Sequence, residues 1–502
     1  MSSPSPSIPE PVDATESTPL FSTNGPIRAD TDTSKSDDAS TRTMFFQELL
    51  TIPRYALPIC SAQLLEYSIV LVPVISLGHL STTYLAAVSL GSMTANVTGY
   101  SILLGLTSGL DTVLPSAWTS SEPRLVGLWA QRMAFLLGII EVISMSLVWF
   151  NAEPILLALK QDPEVARLAA LYLRWYSFSL PAFAFNCISR RYFQSQGHFY
   201  IQTRIICIAA PLNILANYLL VWGPASIRLG FIGAPIASAL TTSLISLTSL
   251  IHGAYLIPQT AWYPLTMHMF TNLGVLVRLG LAGIGQLASE WWAWELVALA
   301  ASFFGPTALA AQSILISTSA TVFQLGYAIA NATSIRVGNL LGEKNARRAE
   351  VAAKSSLVVV LFSSLVTSLM LVVSRHSWAR MFNNDAAVVE LVSGVLPLIA
   401  LYQIVDGNSI VAAGILRARG QQFIGAILNI TAYYVIGMPV AYWLAFERHL
   451  GLGGLWVGYI VALTYCAVVG TVLCFMTDWK EEVLKVERRL AEERLQQANY
   501  DA

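Results

Sequence analysis

The stretch ASEWWAWELV, residues 288–297, sets Glu290, Glu295 and three tryptophans within ten positions, and apolar residues continue on both sides to fill about 272–302. A helix of that length crosses the roughly 30 Å hydrocarbon core of a bilayer. Composition supports that reading. The chain has 502 residues, of which 55% are hydrophobic and 12% charged, with a mean hydropathy of +0.59. A soluble domain carries about twice that charged fraction. The net charge of -1 points to no nucleic-acid partner. Cysteines 60, 187, 207, 466 and 474 lie inside apolar runs without CxxC or zinc spacing, so they read as small membrane hydrophobes and no cofactor is expected.

Similar runs recur near 52–77, 84–112, 124–149, 168–189, 203–222, 231–256, 272–302, 307–334, 352–373, 388–414, 422–446 and 453–476. They predict an all-α integral membrane protein with twelve transmembrane helices. Residues 1–45, rich in Ser, Thr, Pro and Asp, read as a disordered cytoplasmic tail. It contains a dileucine-like Glu16–Phe21 that chance explains well. Residues 478–502 read as a charged cytoplasmic helix, solvated or interfacial, with a weak stripe of Val483, Val486 and Leu490. Lys and Arg concentrate in the loops after even-numbered spans, among them Arg190, Arg191, Arg417 and Arg419. The positive-inside rule then places both termini in the cytoplasm.

A shift of about 224 residues aligns Arg54 with Arg278, Glu66 with Glu290 and Leu85-Ala-Ala with Leu309-Ala-Ala. A shift of about 221–223 brings Gly105 onto Gly326, Thr112 onto Thr333, Glu122 onto Glu343 and Gly197 onto Gly420, and sets LGFIGAPIA (229–237) on LGLGGLWVG (450–458). The chain therefore divides into an N-terminal six-helix lobe, 46–257, and a C-terminal one, 258–477. An even number of spans per lobe implies a symmetry axis along the membrane normal, as in parallel-repeat transporters that work by alternating access.

Intramembrane acids each cost about 3 kcal/mol on insertion scales, so they need a polar partner or a watered cavity. Glu66, Asp111, Glu141, Glu290, Glu295 and Asp406 qualify. Gln286 shares a helical face with Glu290, while Glu295 faces elsewhere. Asp406, with Tyr402 one turn behind it, has no acidic counterpart near Phe183 in the first half. Such a carboxylate is neutral when protonated and attracts a cation when ionised, so proton and substrate compete for one site. Trp291 and its neighbours read either as an organic-cation surface or, more plainly, as packing. Asp111, just before Pro115, reads slightly more as structural than as a relay, and Glu141 fits either role.

Four stretches resemble the multidrug and toxic compound extrusion (MATE) family in its eukaryotic branch: LAAVSLGSMTANVTGYSILLGLTSGLDT (85–112), EWWAWE (290–295), ANATSIRVGNLLGE (330–343) and DGNSIVAAGILRARGQQ (406–422). The resemblance covers about 45–477. It implies a V-shaped antiporter, with two lobes, that exports organic compounds in exchange for protons. By that resemblance Glu290 and Glu295 match the acids of helix seven, and Asp406 the acid of helix ten. Gln286, Tyr402, Trp291 and Asn331 complete the candidate proton- and substrate-binding set, with Glu66, Asp111 and Glu141 as secondary candidates. Two departures stand out. PSAWTS (115–120) replaces the usual GQAxGA, and Ser317 and Thr318 occupy the place of a helix-eight acid. The segment RVGNLLGEKNARR (336–348) is expected to be a cytoplasmic loop touching lipid phosphates, or, with a smaller share, a latch pairing Arg336 or Arg348 with an acid.

The leading expectation is thus export of organic cations or amphiphilic compounds driven by protons, sodium being less favoured. The protein is expected to be a monomer in contact with membrane lipids, in the vacuolar or plasma membrane. A flippase for lipids or lipid-linked precursors is the alternative, though it would want a cationic cavity. A membrane-embedded enzyme ranks low, because the six histidines are scattered and unpaired.

Overall fold

The computed structural model describes residues 33–382 and 385–501. Among them the chain is helical, with no strand. In the first half α1 spans Thr33–Gly78, α2 Thr82–Ala95, α3 Ser101–Thr107, α4 Leu110–Trp118, α5 Leu125–Ser144, α6 Ala152–Ala158, α7 Pro163–Tyr176, α8 Ser179–Ser195, α9 Tyr200–Asn217 and α10 Gly233–Tyr255. In the second half α11 spans Leu273–Ser302, α12 Pro306–Gly342, α13 Ala346–Phe382, α14 Ala386–Ala418, α15 Gln422–Ile430, α16 Met438–Tyr442 and α17 Gly451–Phe475, and α18 (Trp479–Asp501) ends the chain. The dileucine-like Glu16–Phe21 lies outside the described residues. Because α1 begins at Thr33, part of the segment expected to be disordered is helical.

Among the described residues, 11 helices are long and apolar enough to cross a membrane, against the twelve expected. The difference lies at 168–189, which is split into α7 and α8 at Ser177–Phe178. Pro181 explains the break. It has no N–H to give the Ser177 carbonyl, and its ring would clash with that carbonyl in a continuous helix.

The internal repeat is visible in the backbone. Gly197 and Gly420, aligned by sequence, both take left-handed angles (φ 85° and 74°) just beyond α8 and α14. Gly230 and Gly451 also take left-handed angles, at φ 62° and 54°, where the chain enters α10 and α17. A residue with a Cβ is disfavoured at such angles, so equivalent glycines mark equivalent helix boundaries.

One apolar core is built from α11–α17 around Tyr402, Trp456 and Tyr459. Another is built from α2–α5, α7 and α8 around Trp149, Leu114 and Trp129. A third joins the halves, with Ile52, Ala56 and Ile59 of α1 packed among residues of α12, α13 and α14. The halves also meet where α3 crosses α11 almost backbone to backbone. A Cβ on Gly105 would stand 2.5 Å from the Ile284 Cα, and one on Gly283 would fall on Ser108 and the Gly105 carbonyl. Small residues permit this approach where no water drives helices together.

Two expectations about charged segments are corrected. Residues 336–348 are not a loop. Residues 336–342 belong to α12 and 346–348 to α13, leaving three residues as the turn. Arg336 and Arg348 both bind Glu48 of α1, at 2.6 and 2.8 Å. Nor does α18 stand free of the bundle. Val483 and Val486 are buried, and its charged side is tied to both halves. Arg489 donates to Ser116 Oγ (2.8 Å), Glu482 binds Arg419 (3.1 Å), Glu487 binds Lys344 (2.6 Å), and Glu493 accepts from Asn272 and pairs with Arg132. The weak apolar stripe is enough because the surrounding carboxylates find buried arginines.

Candidate functional site

One cavity is lined by residues of both halves. Helix α11 contributes Gln286 and Glu290, one turn apart on the same face. Asp406 and Arg417 come from α14, eleven residues and so about 16 Å of helix apart. The first half contributes Asp111 of α4 and Arg191 of α8, and Phe323 and Tyr327 of α12 form an aromatic wall, their rings stacked at 5.7 Å. The cavity is therefore bipolar. Glu290 and Asp406 mark one end, while at the other Asp111 lies between two guanidiniums, Arg191 Nε at 2.8 Å and Arg417 Nε at 3.5 Å.

Local bonds hold this arrangement. Asn429 of α15 donates to the Gln286 carbonyl (2.8 Å), and Tyr434 donates to the Ser289 carbonyl (2.9 Å), which fixes the rotation of α11. The carbonyl of Arg417 accepts from Thr112 Oγ1, which in turn accepts from Gln422 Nε2 (2.8 Å), tying the end of α14 to α4. A second bond between the halves runs from Thr119 Oγ1 to the Asn339 carbonyl (2.7 Å).

The structure sets Glu290, Asp406, Gln286 and Asp111 on the cavity lining and the other candidates outside it. Tyr402 is buried behind Asp406, in an aromatic cluster with Trp294, Trp456 and Tyr459; Trp294 stacks on Tyr459 at 4.5 Å. Glu295 and Trp291 are half-buried and outside the residues lining the cavity. Asn331 lines an adjoining pocket with Arg190, Arg191 and Asp111. Glu66, despite its alignment with Glu290, is held by Arg190 at 2.6 Å. Glu141 is buried in α5 with Oε1 lacking a hydrogen-bond partner. Thr318 accepts from Trp378 Nε1 (2.9 Å), so the place of the helix-eight acid holds a structural hydroxyl.

Arg191 and Arg417, expected in loops, are cavity residues, as is Arg190 in the adjoining pocket. Each lies in the last turns of a helix that extends past its apolar stretch. Gly197 and Gly420 carried the signal: a glycine at the left-handed C′ position places the helix end after these arginines, not before them.

Known proteins bear on this arrangement. The MatE family model matches residues 58–219 and again 283–443, the second match starting 225 residues after the first (283 against 58). An uncharacterized transporter of Schizosaccharomyces pombe is 38% identical over 448 residues, covering 89% of this chain and 83% of that protein. Multidrug and toxin extrusion protein 1 of Danio rerio is 32% identical over 440 residues, covering 86% of this chain and 73% of its own. The crystal structure of the eukaryotic MATE transporter AtDTX14 superposes with a TM-score of 0.82 at 25% identity, covering 89% of this chain and 99% of that one. A bundle of membrane helices repeated about a shared bipolar cavity, matched twice by one family along its length, makes this chain a member of the MATE family of transporters.

Proposed function

We propose that the chain is a secondary antiporter that exports organic cations or amphiphilic compounds in exchange for protons. The observation that carries the reading is the placement of Glu290 and Asp406, on separate helices, at one cavity lined by both halves. When ionised the two carboxylates attract a cationic substrate, and when protonated they release it. Gln286 sits beside Glu290, and the Phe323–Tyr327 wall offers a face to an aromatic cation. Alternating access follows if the contacts across Gly105–Gly283, Thr112–Arg417 and Thr119–Asn339 open as those on the opposite side close. The orientation expected from Lys and Arg puts both termini in the cytoplasm, in a vacuolar or plasma membrane, with the protein working as a monomer.

Proteoliposomes test this. An imposed proton gradient should drive uptake or efflux of a fluorescent organic cation by the wild type. Glu290→Gln and Asp406→Asn should abolish the gradient-driven part while the protein stays folded. Transport indifferent to the proton gradient but responsive to sodium would overturn proton coupling. The flippase reading gains from one observation, the guanidiniums of Arg191 and Arg417 in the cavity. It requires that the same vesicles move a headgroup-labelled phospholipid between leaflets.

A further inference from the structure

The basic end of the cavity holds more positive charge than its acid neutralises. Asp111 is a single carboxylate shared by two guanidiniums, and only Arg191 is within good hydrogen-bond distance, at 2.8 Å against 3.5 Å for Arg417. Arg190 is a different case, matched by Glu66 at 2.6 Å. Arg417 is 8% exposed, lines the cavity, and its Nη2 has no hydrogen-bond partner. Gln286, 5% exposed and on the same cavity, has its Nε2 in the same condition. Buried donors left unsatisfied are costly, and a guanidinium is satisfied best by a planar oxyanion that meets two of its N–H groups. The backbone of Arg417 is held by Thr112, which fixes where its side chain starts.

We propose that Arg417 forms an oxyanion subsite for the carboxylate of an amphoteric organic substrate whose cationic end faces Glu290 and Asp406. The inference rests on the transporter reading above and deepens it. A substrate bearing both charges would use both ends of the cavity, whereas a simple cation uses one. Arg191 stays with Asp111 at 2.8 Å, which leaves the Nη2 side of Arg417 for the entering carboxylate.

The test uses two dyes that differ only in this group, a rhodamine ethyl ester (a cation) and the corresponding free acid (a zwitterion), with binding to the purified full chain in nanodiscs followed by fluorescence anisotropy. Benzoate should displace the acid from the wild type and leave the ester bound. Arg417→Gln should weaken the acid by about tenfold or more, the range of a charge-assisted hydrogen bond, and bind the ester no more weakly than the wild type, since a positive charge has left the cation's cavity. Arg417→Lys, which keeps the charge and loses the fork, should fall between. Equal weakening of both dyes in a variant that still binds the ester, or of neither, overturns the subsite. Should Arg417→Gln bind neither dye, competition on the unmodified protein decides: displacement of the acid alone upholds the subsite, and no displacement overturns it. Failure of proton antiport reads out separately, as ester efflux that ignores the pH gradient.

Discussion

Arg336 of α12 grips Glu48 of α1 with both arms of its fork, Nε to Oε2 at 2.8 Å and Nη2 to Oε1 at 2.6 Å, and both side chains are almost wholly buried. Arg348 adds a third bond to the same carboxylate at 2.8 Å. The pair spans 288 residues of sequence and pins α1, the first helix of one half, to helices of the other. From sequence, contact with lipid phosphates is the favoured reading of Arg336 and Arg348 and pairing with an acid the lesser one; the structure holds the pairing.

Removing one member of a buried pair strands the other, at a cost of about 3–5 kcal/mol. Glu48→Gln should therefore lower the thermal midpoint of the solubilised protein sharply, and Arg336→Met should do the same. The double substitution should cost less than the sum of the two. Additive losses would show that the fork contributes nothing through pairing.

The crossing of α3 and α11 tolerates no added methyl group. Gly105→Ala sets a Cβ 2.5 Å from the Ile284 Cα, which is backbone and cannot rotate away. Overpacking of this kind costs about 1–3 kcal/mol. The expected outcome is a folded protein with greatly reduced transport, because the halves can no longer close on this seam. Gly138, whose Cβ meets nothing within 4 Å, is the control: Gly138→Ala should leave transport unchanged.

Helix α18 touches the first half through Arg489 and Glu493 and the second through Glu482 and Glu487. A chain ending at residue 478 should lose this strap and expose the apolar strip under Val483 and Val486. The truncated protein should melt earlier and leak substrate without a gradient in proteoliposomes. Unchanged leak with normal stability would show that α18 is an appendage only.

Glu343 caps α12 just beyond the membrane-spanning stretch, and burial raises its carboxyl above the ordinary carboxylate range, against the opposing pull of Arg336 and Arg348. A raised folded value means that stability is fully present below the unfolded pKa and is lost as pH rises through the folded one. Glu343→Gln should thus raise the thermal midpoint at neutral pH and change it little near pH 4. A loss of stability at neutral pH would show that the ionised group is needed.

Glu66 and Glu290 show how far the sequence could be read. Their alignment one repeat apart was legible, yet one is bound by an arginine and the other faces the cavity. The difference comes from Arg190, on a helix whose spatial neighbours no local pattern reveals. Gln286 with Glu290 was legible because they lie one turn apart on a single helix. That face shares a cavity with Asp406 of a different helix, which only resemblance suggests from sequence, and with Arg417, which sequence places in a loop.

What the sequence determined by itself was local in origin: helices from apolar runs of membrane length, their repetition in two halves, and the glycines that end them. Backbone sterics and the thickness of a bilayer act residue by residue and leave their mark on composition and spacing. Tertiary structure alone decided the charge partners, Asp111 with Arg191 80 residues on and Glu48 with Arg336 288 residues on, and the docking of α18. A buried charge is neutralised by whatever the crossing of helices brings within about 3 Å, and that geometry is set by the packing of the whole bundle, not by any one segment.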